Sequence, residues 1–249
     1  MFKKLITITI CLLGAMILAC GCNITTGGLG AGVRGEGEMV SRDFTVGDFT
    51  VIDISGISCI VSFSQNQNSL VTIEMQDNLF DYLDVSVRDG VLFINSNHNF
   101  DTSTANRPRV YISAPTLSGL NFEGAIDARN WDPIYAQRFV INGVGAGNIS
   151  LSLEVTLLEI NTEGGINLGL SGNANTVNIF SEGAVNIEAF DLYIATASIE
   201  LIGAGNVDIS VADTLDVIIE GIGRIQYRGE PLLTQRVSGI GWVRSANSH

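Results

Sequence analysis

A short glycine-centred pattern recurs through the second half of the chain and limits what it can fold into. Ser181-Glu182-Gly183-Ala184-Val185-Asn186-Ile187 has relatives in Thr162-Glu163-Gly164-Gly165-Ile166-Asn167-Leu168 and Leu201-Ile202-Gly203-Ala204-Gly205-Asn206-Val207. Aligning the central glycine gives Gly124, Gly145, Gly164, Gly183, Gly203, Gly221 and Gly239, at steps of 21, 19, 19, 20, 18 and 18 residues. A period near 20 residues describes stacked units, none of which can bury its apolar face alone. Apolar residues alternate with polar ones on both sides of each glycine, and period two is strand. Each unit therefore reads as two short strands joined by a tight glycine turn. The expected fold is all-β: a parallel β-helix-like solenoid with rungs of about 19 residues, right-handed because parallel crossovers are.

The repeated positions have structural explanations. Glycine supplies the positive φ that a tight reversal needs. The next residue is small at Ala125, Ala146, Gly165, Ala184 and Ala204, so turns can lie above one another. Three residues past the glycine stand Asn148, Asn167, Asn186 and Asn206. Amides so placed can hydrogen-bond from rung to rung, as in cross-β stacks; their alternation with Ile149, Leu168, Ile187 and Val207 directs them outward or toward a corner. Glu163 and Glu182 precede two successive column glycines. They read as solvated surface acids, or as a pair within reach of one cation such as calcium. No calcium-loop motif accompanies them, so no metal site is assigned.

The chain before the repeats divides by composition. Lys3 and Lys4 precede an apolar run from Leu5 to Ala19, the order of a bacterial export signal over residues 1–19. The run ends Met16-Ile17-Leu18-Ala19-Cys20. A small residue before cysteine resembles a lipobox, with Cys20 the lipidated residue and Cys22 the alternative. Residues 20–40 then read as a lipid-anchored glycine-rich tether. Residues 41–115 read as an N-terminal β segment, with Gly56 an earlier, diverged copy of the glycine turn. Its hairpin, Leu83 to Ile94, turns at Asp89-Gly90. Residues 95–107 read as an exposed polar loop. Residues 116–245 carry the repeats, and 41–245 form one continuous domain.

The order of these motifs resembles a known bacterial family. Arg42-Asp43-Phe44, Phe49-Thr50-Val51-Ile52 and the Ser55-Gly56 turn come first. Val71-Thr72-Ile73-Glu74, Asp77-Asn78-Leu79, Asp89-Gly90-Val91-Leu92 and the glycine repeats follow. This resembles the auto-transporter adhesin head, GIN-domain (DUF2807-type) family over roughly residues 41–245. The resemblance implies a right-handed β-helix-like solenoid and a cell-surface role, and it brings no catalytic residues with it.

Charge narrows the partners. The exported part would carry eleven arginines, no lysine and 26 acidic residues. That balance opposes binding to phosphate backbones or anionic membrane surfaces, so no nucleic-acid partner is expected. Cysteine usage gives no disulfide framework, because only Cys59 lies in the folded part; it reads as a buried structural thiol. The histidines are His98, in the polar loop, and His249, and no Gly-x-Ser-x-Gly elbow occurs. Asp127, Asp132, Asp208, Asp213 and Asp216 are scattered over different rungs. No catalytic residue and no cofactor is assigned. The function expected is a lipid-anchored surface binding or adhesion module for an extracellular polysaccharide or protein. A purely structural envelope lipoprotein and a carbohydrate-active β-helix enzyme are the alternatives.

Overall fold

The computed structural model describes residues 32–247; the export signal, Cys20 and Cys22 lie outside the described residues. The architecture is all-β, 77% strand and 4% helix, in a sheet that curls nearly closed, barrel-like, around one apolar core. In chain order the strands are β1 (Val33–Arg34), β2 (Met39–Phe44), β3 (Val51–Ser55), β4 (Cys59–Gln65) and β5 (Leu70–Gln76). Next come β6 (Asp84–Arg88), β7 (Val91–Asn95), β8 (Phe100–Asp101), β9 (Arg109–Ala114) and β10 (Gly119–Asn130). The last two are β11 (Ile134–Arg228), a single continuous extended run, and β12 (Leu232–Ser245).

Pairing runs between rungs and is parallel. β10 lies beside the start of β11 with Gly124 opposite Gly145 and Asp127 opposite Asn148. β11 lies beside β12 with Gly221 opposite Gly239. The ladder passes unbroken through the glycine, which makes a corner in one extended chain rather than a turn between two separate strands. The inward positions alternate, so that Ile149, Leu151 and Leu153 are buried while Asn148, Ser150 and Thr156 face out. The extra residues in the first step are absorbed where β10 breaks from β11, at Trp131–Pro133.

The N-terminal segment joins the same stack in an order the chain does not follow. β3 and β4 form one rung on either side of Gly56, and both pair parallel with β10. On their other side β7 pairs parallel with β3, and β9 with β4. The earliest full rung is therefore sandwiched between two later ones. Antiparallel strands finish that end: β6 on β7 through the Asp89-Gly90 turn, then β5 on β9 and β2 on β5. A 3₁₀ turn, Asp77–Tyr82, buries Leu79 and Phe80 there, with Phe80 stacked on Phe44 and the Arg42 guanidinium 4.1 Å from its ring centre.

Two boundaries move. The tether expected to reach residue 40 ends sooner, because β1 pairs with β8 and β2 begins at Met39. The loop expected over 95–107 contributes β8 and a 3₁₀ turn at Thr104–Asn106. Short polar segments of this kind gain order from backbone partners distant in sequence, which local periodicity does not encode.

At the corners, φ is +117° at Gly124, +120° at Gly145, +112° at Gly164, +110° at Gly183, +116° at Gly203, +132° at Gly221 and +128° at Gly239. Gly56 differs, at +72°, with one extra residue in its corner relative to β10. Space is as restrictive as conformation: a Cβ on Gly164 would sit 2.2 Å from the Gly145 carbonyl oxygen. Gly165, its neighbour, has ordinary φ and open space around it. Gly164→Ala is therefore expected to lower stability by about 2–4 kcal/mol, and Gly165→Ala to leave it unchanged or raise it by up to ~1 kcal/mol. Denaturant melts of the two variants decide this; equal loss from both would refute the corner assignment.

Candidate functional site

The corners align the residues around each glycine into rows that run along the stack. Three residues past the column glycine the row reads Asp127, Asn148, Asn167, Asn186, Asn206, Arg224 and Trp242. The first part is a hydrogen-bonded ladder. Asn148 Nδ2 donates to Asp127 Oδ1 at 2.7 Å, and Asn167 Nδ2 donates to Asn148 Oδ1 at 2.9 Å. The ladder then stops. Asn186 Nδ2 turns along its own strand to Glu188 at 3.4 Å, and Asn206 makes no side-chain hydrogen bond among the described residues. The four amides thus divide into two that are engaged and two that point outward with donor and acceptor capacity to spare.

A second ladder lies three residues before the same glycines. Asn121 Nδ2 donates to Asp53 at 3.4 Å, Asn142 to Asn121 at 2.8 Å and Asn161 to Asn142 at 3.0 Å. Sequence reasoning missed it, although the signal was available: Asp53 precedes Gly56 by three residues, as Asn121 precedes Gly124. Inside the corner, a buried Thr162 hydroxyl donates to the Ser181 hydroxyl at 3.0 Å, so these core-facing polar groups are satisfied.

Between the first ladder and the corner runs a trough. Toward the C-terminal end it holds about 490 Å³, floored by Ala184, Gly205 and Gly223 and flanked by Asn186, Asn206, Arg224 and Trp242. Toward the N-terminal end a second depression of about 460 Å³ continues it, lined by Arg107, Asp127 and Asn148. Gly165 lines both, so the two form one open groove along the stack. Small residues next to the glycines create the hollow. Ile222 and Ile240 rise from it at 61% and 76% exposure. Arg224 lies 3.6 Å from Asp208, and the Arg244 guanidinium covers one face of Trp242 at 4.8 Å.

Arg107, placed by sequence in a solvated loop, ties the N-terminal rung to the repeats. Its Nη2 donates to the Cys59 carbonyl at 2.8 Å and its Nη1 pairs with Asp127. Cys59 is fully buried beneath it, and burial, opposed by the nearby Arg107 charge, pushes the thiol up to about 12. Such a thiol remains protonated and inert at neutral pH.

The remaining candidates do not converge. Glu163 and Glu182 are exposed on adjacent rungs, and no group of three or more His, Cys, Asp or Glu side chains gathers to hold a metal among the described residues. His98 packs against Tyr82, ring centres 4.8 Å apart, and bonds to Asn97. Asp127 and Asp208 face arginines. His249 lies outside the described residues.

Asp53, at the foot of the second ladder, has its pKa raised, chiefly by burial and further by the Glu123 charge, against the lowering effect of the Asn121 hydrogen bond. A carboxyl whose folded pKa exceeds its unfolded value favours the folded state while protonated and opposes it once ionised. Its contribution is fully present below the unfolded value and lost as pH rises through the folded one. Asp53→Asn keeps an acceptor for Asn121 and removes the charge. The variant is expected to melt higher than wild type at neutral pH, with the difference closing as pH falls below about 4. Thermal melts across pH check this; a gain that persists at low pH would refute it.

The profile of the family described as "Putative auto-transporter adhesin, head GIN domain" matches residues 48–231. Among solved structures, a "putative adhesin" from Bacteroides fragilis shares 25% identity at a TM-score of 0.79, covering 86% of this chain and 100% of that one. A "putative adhesin" from Parabacteroides merdae shares 21% at 0.67 (87% and 100% covered), and a "putative lipid binding protein" from Parabacteroides distasonis 20% at 0.68 (86% and 99% covered). These last two support the fold alone. No curated protein matches the chain. The profile match spans well over half the sequence, and the chain belongs to the auto-transporter adhesin head, GIN-domain family.

Proposed function

We propose that this protein is a non-catalytic binding module of the bacterial cell envelope, anchored by a lipid on Cys20, that holds an extended polysaccharide along the trough beside its glycine corners. The observation that carries the reading is the trough itself. It is long, open and shallow, and it lies along the stack, which suits a polymer better than a small metabolite. Its lining suits sugars: the amides of Asn186 and Asn206, outside the ladder, can donate and accept, and Trp242 offers an indole edge. Membership of an adhesin-described family supports a binding role and a place at the cell surface. Catalysis needs convergent groups with matched pKa values, and the one acid lining the trough, Asp127, is engaged with Arg107 and Asn148.

The rung-to-rung parallel register supports reading the fold as a right-handed parallel β-helix-like solenoid over residues 116–245, continuous with the segment from 41. The handedness follows from the preference of parallel crossovers. The lipid anchor rests on the sequence order of charge, apolar run, Ala19 and Cys20. With Cys22 as the alternative, labelling of living cells with a tagged fatty acid is expected to mark wild type and Cys22→Ser but not Cys20→Ser. Label in Cys20→Ser alone would move the site two residues on.

A glycan array probed with the purified protein tests the function. Binding to at least one polysaccharide is expected, falling about tenfold or more in the Asn186→Ala, Asn206→Ala double variant, whose lost amides carry no ladder bond. Binding to extracellular proteins in place of glycans would shift the reading to a protein adhesin. Turnover of a polysaccharide, abolished by changing one carboxylate, would overturn it in favour of an enzyme.

A further inference from the structure

The two ends of the stack differ. At the β7/β9 end, antiparallel strands and the Leu79–Phe80 plug cover the core. At the other end β12 bonds, among the described residues, to β11 and to no other strand. One whole edge of an extended chain from Leu232 to Ser245 therefore presents unpaired backbone groups, a condition that invites pairing. Its inward side chains close off the core only partly: Leu233 and Val243 are half-buried, and Val237 is 37% exposed although its counterpart one rung back, Ile219, is buried. Asn247 ends the rung by bonding both the N–H and the carbonyl of Gly229 with its side chain, leaving the β12 edge itself untouched.

We propose that this open rung docks on the same rung of a second copy, forming a two-fold dimer whose axis passes through the Gly239 corner. The argument is self-complementarity. Gly239 divides β12 into two arms, and a two-fold axis bisecting the corner lays each arm antiparallel on the partner's other arm. Positions then pair so that their numbers sum to 478. Because the corner lies on the axis, inward positions meet inward ones: Val237 faces Gly241, Gln235 faces Val243 and Leu233 faces Ser245. Outward positions meet outward ones: Ser238 faces Ile240, Arg236 faces Trp242 and Thr234 faces Arg244. No position sets like charges directly opposite one another, and Arg236, held at 3.3 Å by Glu220 of its own copy, lies across from Trp242. Val237, pressed against a glycine, gains cover, and exposed Ile240 gains a neighbour.

The size of the contact is consistent with a specific but modest interface. Residues 233–245 at ~3.3 Å each, across a width of ~10 Å, cover about 430 Å² per copy. That is about 860 Å² in total, near the ~1,000 Å² where specific interfaces begin, and the core exposed beneath Leu233, Val237 and Val243 adds to it. The backbone ladder supplies directionality. The interface is isologous and closes on itself, so assembly stops at two.

The pairing is tested by cysteines in the full chain, purified in detergent, with Cys11, Cys20 and Cys22 changed to serine so that buried Cys59 is the remaining native thiol. Gln235→Cys with Val243→Cys places two thiols opposite each other across the axis, while within one copy they lie on different arms. Mild oxidation is expected to give a covalent dimer on a non-reducing gel. Gln235→Cys alone, and Gln235→Cys with Ser245→Cys, should remain monomeric, since neither sets two cysteines opposite. Adding Val237→Asp, which places a charge at the joint, should abolish the dimer with strand circular dichroism unchanged. Where that variant fails to fold, the cysteine pairs decide alone. Equal linkage from matched and mismatched pairs would overturn the proposal. So would a matched pair that stays monomeric with both thiols open to maleimide, which would leave the edge free for an extended peptide of another protein.

Discussion

The structure depends on a contact that admits no side chain: the approach of each corner glycine to the carbonyl of the corner beneath it. From Gly145 to Gly239, a Cβ at the corner would lie 2.1 to 2.6 Å from that oxygen. The chain can turn there without breaking its ladder only because nothing protrudes. The corner then fixes everything around it. Residues at equal distance from the glycine are brought to equal positions on successive rungs, so buried aliphatics stack on buried aliphatics, amides on amides and small residues on small residues. Both asparagine ladders and the trough follow from this one coincidence of register.

Packing inside the corner shows how closely neighbouring rungs constrain one another. Phe122 projects its ring into the space where Gly143 would carry a side chain, with a Cβ there 2.3 Å from the ring. A large residue on one rung thus imposes glycine on the next. On the two following rungs, Thr162 and Ser181 stand at the equivalent positions and satisfy each other. A stack of this kind tolerates variation from rung to rung when neighbours vary together, because each rung's environment is mainly the rung on either side.

The repeat made the all-β class, the corner positions and the alternation of buried and exposed residues legible in the sequence, because these depend on local period. The Asp89-Gly90 hairpin was legible from its own turn residues. The spatial order of rungs was not. Nothing near β3 announces that β7 will lie on one side of it and β10 on the other, since that arrangement is carried by backbone pairing between segments about 40 to 70 residues apart. Arg107 was misjudged for a related reason: its partners, Asp127 and the Cys59 carbonyl, come together only after three separate segments have met. The interruption of the amide ladder at Asn186 was equally hidden, because the row of asparagines continues in sequence while their hydrogen bonds do not.

The sandwiching of the β3/β4 rung has a consequence for how the chain reaches its native state. A polypeptide made from its N-terminus presents Val51 to Gln65 early, yet both edges of that rung wait for segments that emerge later, one side for residues 91–114 and the other for 119–130. Until then it is an apolar hairpin-less corner with Cys59, Val61 and Phe63 uncovered. The first stable nucleus must close loops of several tens of residues, a slower event than adding one rung of some 20 to a finished neighbour. Folding is thereby split into a demanding beginning and an easy continuation: once residues 51–130 have assembled, each later rung finds a template complete along its whole length. The sequence places its antiparallel strands, its plug and its longest-range pairings where that initial barrier lies, and leaves the regular repeats to propagate from it.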